Sequence, residues 1–301
     1  MLRRAIASCT KQTIQCECIV VDDASTDETP AVVSEFPEVR YLRNPIARGH
    51  SAAANAGIRA AGGEWIKPLD DDDWLAPDCI EIFSRALQSA SECGFAATSI
   101  SGVAMQVDQN GRESGPARSP VTTPSAVRSR DLLALMMLDE APLGTPVQVG
   151  HSRKAALAAG GWNERRPFAH QHGDEAEFWI KLAGLGDAVF VPDVVAYRQN
   201  WIGGSQRSIA HWERYRSNLH LKQEIASALH RPVPESIQSY LALHWALVSA
   251  KELDLGTAMR LSLQWMKNPE SAAHLLERHS FRHAREHFHP LTMEPRPNRT
   301  R

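Results

Sequence analysis

Two short apolar segments, each ending in consecutive aspartates, constrain the fold more than any other feature. The first covers residues 16–21 and stops at Asp22 and Asp23, and the second rises through Trp65 and Ile66 into four aspartates, Asp70 to Asp73. Helical patterns follow and separate these segments, and strands that alternate with helices predict an α/β fold with a mostly parallel sheet. Ligands of such sheets bind beyond the carboxyl ends of the strands. We therefore expect both acidic clusters at one rim, around one ligand.

The four consecutive aspartates allow two interpretations. Carboxylates this close repel one another, and an oxygen-rich cluster suits a hard divalent cation such as Mg²⁺ or Mn²⁺. A solvated acidic turn that begins a helix is the alternative, because Asp is also favoured at that position. The aspartates alone do not decide between them.

Composition excludes several classes of function. The chain has 301 residues, and 33 Lys and Arg balance 35 Asp and Glu to a net charge of -2, which gives no global attraction to nucleic acid. No apolar run is long enough to cross a bilayer, and no signal-peptide pattern opens the chain. No zinc or redox spacing relates the five cysteines, Cys9, Cys16, Cys18, Cys79 and Cys93, so free thiols in a reducing cytoplasm are expected. A cytoplasmic location is therefore expected, with peripheral contact at the inner face of the membrane left open.

Four sequence blocks together carry a resemblance to a known family. They are the Asp-Asp-Ala-Ser-Thr-Asp run at 22–27, the segment 44–58 with Gly49, Asn55 and Gly57, the Gly-Glu-Trp-Ile run at 63–66, and the Asp-rich run at 70–78. In order and spacing they resemble family 2 glycosyltransferases with the GT-A fold, over roughly residues 1–205. This family normally opens with a strand and a short turn that helps to hold the nucleotide. The chain begins at the helix that follows, so we expect the sheet to lack its first strand.

The resemblance assigns nucleotide-binding roles to the first acidic cluster and to one basic residue. Asp23, with Asp22 close by, is expected to hydrogen-bond the base of the nucleotide. Arg48 is expected near the base or the phosphates.

The second cluster matches the family's Asp-X-Asp motif. The resemblance places Asp70 at the ribose and Asp72 on a divalent metal, Mn²⁺ or Mg²⁺. Asp71 lies between these two residues and belongs to the same nucleotide-binding site. Asp73 is expected to cap the helix that follows.

An acidic pair at Asp174 and Glu175 opens a helix whose apolar face includes Phe178 and Trp179. Acidic residues in a first helical turn need no function, because they complement the helix dipole. In the family, however, one member of such a pair is the catalytic base. Glu175 matches that position by register, although the family usually has Asp there, so the choice between the two residues stays open.

The chain is expected to contain one catalytic domain and a helical appendage. Residues 1–207 form the GT-A domain, with a nucleotide-binding half at 1–100 and an acceptor half at 101–207. Helices are expected across 208–290, followed by a disordered tail at 291–301.

The resemblance implies an enzyme that moves a sugar from a nucleotide-diphosphate sugar, commonly UDP-linked, to an acceptor hydroxyl with inversion. The acceptor would be a sugar, a lipid-linked molecule or a protein. One alternative is an inactive nucleotide-sugar or partner-binding module. A nucleotidyltransferase would need a glycine-rich basic loop after its first strand, and none is visible.

Overall fold

The fold is described from a computed structural model, which places residues 1–117, 119–139, 143–164, 174–200, 210–228, 235–266 and 285–293. Helices and strands alternate through the first third of the chain, as the apolar pattern predicts. These elements are α1 (Leu2–Thr10), β1 (Ile19–Asp22), α2 (Thr29–Ser34), β2 (Arg40–Arg43) and α3 (His50–Ala60).

The first two strands form a small parallel sheet of their own. β1 and β2 pair in register from Ile19 opposite Arg40 to Asp22 opposite Arg43. Among the placed residues, no strand precedes α1 and β1 has no second hydrogen-bonded neighbour. Among the placed strands, the sheet is therefore divided into two parts.

The larger sheet has eight strands, with β10-β7-β9-β5-β8-β3 as its main order and with β4 on β9 and β6 on β5. The long central strands β5 and β9 run parallel, and residues 108–111 form the tip of the β5–β6 hairpin. The strand bounds are β3 (Trp65–Ile66), β4 (Trp74–Leu75), β5 (Ala97–Val107), β6 (Glu113–Pro116), β7 (Ser125–Val127), β8 (Val149–Ser152), β9 (Asp187–Gln199) and β10 (His289–Pro290).

One expectation about the sheet is corrected. Only two of the eight pairings among the placed strands are parallel, so the sheet is mixed rather than mostly parallel. The long strand β9 runs continuously from Asp187 to Gln199, and its register against β5 shifts between Phe190 and Val194. Pro192 lies in this shift, and because proline has no N–H it is accommodated at an irregular point of the ladder.

Helices cover both faces of the larger sheet. On one side, α4 (Cys79–Glu92) buries Ile82, Phe83 and Ala86 against β5 and β9. The spacing of these residues puts them on one helical stripe. The other side is covered by α5 (Ser129–Met137), α6 (Arg153–Ala158) and α7 (Asp174–Ala183).

The expected helical appendage consists of α8 (His211–Ala228), α9 (Glu235–Lys251) and α10 (Leu255–Trp265), which share their own apolar core. Asp139 links these helices to the part of the chain that contains the larger sheet, because its carboxylate accepts hydrogen bonds from Asn218, Lys222 and Trp245. Among the placed helices, none has the length and apolar character needed to cross a membrane.

The last placed residues differ from the helices expected up to residue 290 and from the tail expected at 291–301. Residues 285–287 form a single 3₁₀ turn, and β10 pairs antiparallel with β7. Leu291 is buried and its N–H donates to the Pro124 carbonyl at 2.8 Å. Residues 291–293 thus belong to the sheet domain, while 267–284 and 294–301 lie outside the described residues.

Candidate active site

The four aspartates form a tight turn between β3 and β4. The N–H of Asp73 bonds to the carbonyl of Asp70 at 3.3 Å, and the carboxylate of Asp73 accepts the backbone N–H of Gln199 at 2.8 Å. Asp73 is therefore buried against the end of β9, and the expected capping role is wrong, because Asp78 precedes α4. Asp71 is exposed and Asp72 is half-buried, so both stand at the open side of the turn.

The pKa values of the neighbouring carboxyl groups are shifted in different directions. Burial, followed by the neighbouring charges of Asp72 and Asp70, raises the pKa of Asp71. Burial also raises the pKa of Asp73 to about 7, against the opposing hydrogen bond from Gln199. Burial and the neighbouring carboxylates therefore both oppose full ionisation of this turn.

Asp70 behaves differently because cationic groups face it. Burial acts to raise its pKa, but the hydrogen bond and charge of His50, with Lys67 and Arg198, lower it overall. The Nε2 atom of His50 lies 3.6 Å from Oδ1 of Asp70.

The loop before α3 brings the two acidic clusters together. Asp23 accepts the side-chain amide of Asn44 at 2.7 Å and the backbone N–H groups of Arg48 and Gly49 at 2.9 and 2.6 Å. The next residue is His50, which reaches Asp70. Asp23, Arg48 and Asp70 thus lie along one continuous stretch of surface.

Asp22 is part of the wall beneath this surface. It is buried, and its carboxylate accepts the Ser25 N–H at 2.7 Å and the Tyr41 hydroxyl. Arg43 lies 3.1 Å from the same carboxylate. Burial tends to raise the pKa of Asp22, but these partners lower it overall, so the carboxylate is held ionised and fixed in place.

A turn after α6 is fastened to α3 by Asn55. The Asn55 side chain accepts the Trp162 N–H at 2.8 Å and donates to the Trp162 carbonyl at 2.9 Å and to Glu164 at 2.8 Å. Gly161 has φ +71°, and a Cβ there would lie 2.3 Å from the Asn55 oxygen, so only glycine fits. Glu164 in turn holds the Arg48 guanidinium at 2.7 Å.

The same turn contacts α7, which carries the expected base. The Trp162 ring packs on Phe178 with centroids 5.0 Å apart, and Asn163 donates to Glu177 at 3.0 Å. Glu175 is half-buried in the first turn of α7. Asp174 begins the helix, and its side chain lies outside the described residues.

The acidic turn fits a divalent cation by its chemistry. Among the placed residues, no three His, Cys, Asp or Glu side chains are arranged to enclose an ion. Mg²⁺ and related cations are usually held by only one or two carboxylates together with substrate phosphates. Asp71 and Asp72 offer such oxygens at the open side of a turn where burial, followed by the charges of Asp72 and Asp70, raises the pKa of Asp71.

Sequence reasoning missed two charged groups of this site. His50 faces Asp70 and also packs edge-on against Trp162. The charge of Arg198 helps to lower the pKa of Asp70 and opposes the rise in the pKa of Asp73. The position of His50 directly after Gly49 was the available signal. Arg198 gave none, because it reaches the turn only through the pairing of β4 with β9.

Comparison with known sequences gives a consistent result. Residues 1–127 match the family model described as Glycosyl transferase family 2. The succinoglycan biosynthesis protein ExoO of Rhizobium meliloti is 43 % identical over 94 residues, which cover 30 % of this chain and 26 % of that protein. The chain thus spans about a quarter of the length of this relative.

Solved structures share the fold at low sequence identity. Staphylococcus aureus TarS 1–349 in complex with UDP has a TM-score of 0.59 at 16 % identity, over 88 % of this chain and 73 % of that one. The mannosyltransferase PcManGT of Pyrobaculum calidifontis, in complex with GDP-Man and Mn²⁺, has a TM-score of 0.54 at 21 % identity, over 92 % and 74 % of the two chains.

Proposed function

Because this chain belongs to glycosyltransferase family 2 through its residues 1–127, we propose that it transfers a sugar from a nucleotide-diphosphate sugar to an acceptor hydroxyl. Family membership and the α/β GT-A fold class, both predicted from the motifs, are confirmed. The observation that carries the proposal is the joining of the two acidic clusters by the loop from Asn44 to His50. A ligand with a base, a ribose and a diphosphate needs such an extended polar surface.

Asp23 and Arg48 form the nucleotide end of this surface. Asp23 fixes the loop through its two backbone N–H contacts, and Arg48 is exposed beside Glu164. We assign the base of the nucleotide to the Asp23 end and the phosphates to Arg48. Asp22, whose carboxylate oxygens both have protein partners, positions this loop from beneath.

Asp70, Asp71 and Asp72 form the diphosphate end. Asp70, whose lowered pKa keeps it ionised, would accept a ribose hydroxyl. Asp72, with Asp71 beside it, would hold Mn²⁺ or Mg²⁺. The bound cation supplies positive charge that offsets the negative charge developing on the leaving diphosphate.

Glu175, or its neighbour Asp174, would act as the general base. It would take the proton from the acceptor hydroxyl as that oxygen attacks the anomeric carbon. A single displacement with no covalent enzyme intermediate inverts the configuration at that carbon. Trp162 supports this arrangement by linking α7 to the loop at His50 through ring contacts.

The donor is proposed to be UDP-linked, because the UDP complex of TarS is among the similar folds. A GDP-linked sugar is the competing donor, because PcManGT is bound to GDP-Man. The acceptor would be a sugar, a lipid-linked molecule or a protein. Similarity to a succinoglycan biosynthesis protein favours the assembly of a polysaccharide.

The test is release of nucleotide from a panel of UDP- and GDP-sugars with Mn²⁺. We expect slow release by transfer to water in the wild-type chain, and loss of release in Glu175→Gln or Asp174→Asn. Glu113→Gln, which removes one exposed carboxylate from β6, serves as the control and should retain release. Nucleotide binding without release from any donor would instead establish the inactive binding module.

A further inference from the structure

One arginine of α1 contacts the backbone of the acidic turn. Arg4 donates from Nη2 to the carbonyl oxygen of Asp72 at 3.0 Å. The same nitrogen donates to the side-chain oxygen of Gln199 at 2.6 Å. Arg4 is therefore bonded both to the residue proposed to hold the metal and to the last residue of β9. The proposed sugar transfer gives it no role.

Aromatic contacts fix the guanidinium in this position. Its central carbon lies 3.5 Å from the centroid of the Trp74 ring. The Trp74 ring in turn stacks on Tyr197, with ring centroids 5.2 Å apart and planes 6° from parallel. Trp74 and Tyr197 lie opposite each other where β4 pairs with β9. These successive contacts connect Arg4 to the strand that begins directly after the four aspartates.

The end of β9 and α1 together hold the backbone that leaves the acidic turn. Gln199 donates its backbone N–H to Asp73 at 2.8 Å, while its side-chain oxygen accepts from Arg4. One turn further along α1, the Ser8 hydroxyl accepts the N–H of Leu75 at 3.0 Å. Removal of the Arg4 guanidinium would therefore release the turn at the carbonyl of its third aspartate, while the contacts on either side remain.

We propose that Arg4 is a positioning residue, which fixes the backbone of Asp72 so that its carboxylate is presented to the divalent cation. This inference rests on the proposed function. Loss of a contact that orients a metal ligand typically costs 10- to 100-fold in metal affinity. A planar guanidinium can stack on an indole and donate in fixed directions, whereas the ammonium of lysine is a point charge. The charge of Arg4 alone is therefore not sufficient for this role.

The preceding residue of α1 offers a matched control. Arg3 is exposed, and both its Nε and its Nη2 atoms donate to the carboxylate of Glu35, which follows α2. Arg3→Met and Arg4→Met each remove one cation from the same helix. Only Arg4→Met removes a contact with the acidic turn, so the pair separates loss of charge from loss of positioning.

The test is the Mn²⁺ concentration that gives half-maximal binding of UDP or GDP, measured by calorimetry. We expect Arg4→Met to need about tenfold more Mn²⁺ than the wild type. Its nucleotide affinity should approach that of the wild type at saturating Mn²⁺, because the nucleotide contacts are intact. Arg4→Lys, which keeps the charge, should show a similar increase, and Arg3→Met should match the wild type.

Hydrogen exchange of the folded chain provides a second measurement that needs neither metal nor nucleotide. The amides of residues 73–75 should exchange faster in Arg4→Met than in Arg3→Met or in the wild type. Unchanged exchange in Arg4→Met would overturn the inference, because the turn would then be held without this contact.

Two results of the Mn²⁺ titration would also overturn the inference while leaving the proposed sugar transfer intact. One is a wild-type Mn²⁺ requirement in Arg4→Met. The other is full recovery in Arg4→Lys, since charge alone would then suffice. Failure of the wild-type chain to bind either nucleotide is a different result, which contradicts the proposed function and removes the inference with it.

Discussion

Substitution of two adjacent glycines by alanine tests how the turn after α6 is fastened to α3. Gly160 and Gly161 both have positive φ, +78° and +71°. At Gly160 a Cβ meets nothing within 4 Å, whereas at Gly161 it would lie 2.3 Å from the Asn55 oxygen. Gly160→Ala should therefore cost only the left-handed strain, about 1 kcal/mol.

Gly161→Ala should cost about 3 kcal/mol. The strain is similar, but the Asn55 side chain must also move, which breaks its two hydrogen bonds to the Trp162 backbone, at 2.8 and 2.9 Å. A buried hydrogen bond of this kind contributes about 1 kcal/mol. Urea unfolding followed by tryptophan fluorescence measures both free energies of unfolding.

An Asn55→Ala background separates strain from the clash. With the amide gone, Gly161→Ala should cost only about 1 kcal/mol, since the strain alone remains. Equal costs for the two glycine substitutions in the wild-type chain would refute the reasoning. A cost at Gly161 that persists at about 3 kcal/mol without Asn55 would refute it equally.

Two further predictions concern buried charges. Because the folded chain holds the pKa of Asp73 at about 7, the carboxyl binds its proton more tightly than in the unfolded chain. Its contribution to stability therefore falls as the pH rises from about 4 to 7. We expect the free energy of unfolding of Asp73→Asn, relative to that of the wild type, to rise by up to about 1.4 kcal/mol per pH unit in this window, as measured by urea unfolding in metal-free buffer. A difference in free energy that does not change with pH would contradict the raised pKa. Asp139→Ala should cost about 3–5 kcal/mol, because it leaves the buried Lys222 amine without its carboxylate at 2.7 Å. Adding Lys222→Met should recover much of that loss, and no recovery would show that the charge is not the cause.

Local pattern was sufficient to predict most of the elements and the acidic clusters. Apolar segments that end in aspartates predicted the strands β1 and β3, which precede Asp23 and Asp70. These inferences need only the residues within one or two elements, and the structure places both clusters along the loop that contains Arg48 and His50.

Contacts between segments far apart in the chain could not be predicted from the sequence. Asp73 accepts its hydrogen bond from Gln199, 126 positions away, so a capping role was the natural local expectation. The Asn55 side chain accepts the N–H of Trp162, 107 positions away. Likewise β10, which lies near the end of the chain, pairs with β7. The orientation of strands that meet through such returns is set by tertiary packing, which explains why the sheet is mixed rather than mostly parallel.

The most direct test of the central claim is calorimetric binding of UDP and GDP, with and without Mn²⁺. We expect one of the two nucleotides to bind in a metal-dependent manner. Binding should be lost in Asp72→Ala and retained in Glu113→Gln, the exposed carboxylate control on β6. Binding that is equally tight without Mn²⁺ and in Asp72→Ala would contradict a metal-assisted diphosphate site. Failure of folded wild-type chain to bind either nucleotide would contradict the nucleotide-sugar site itself.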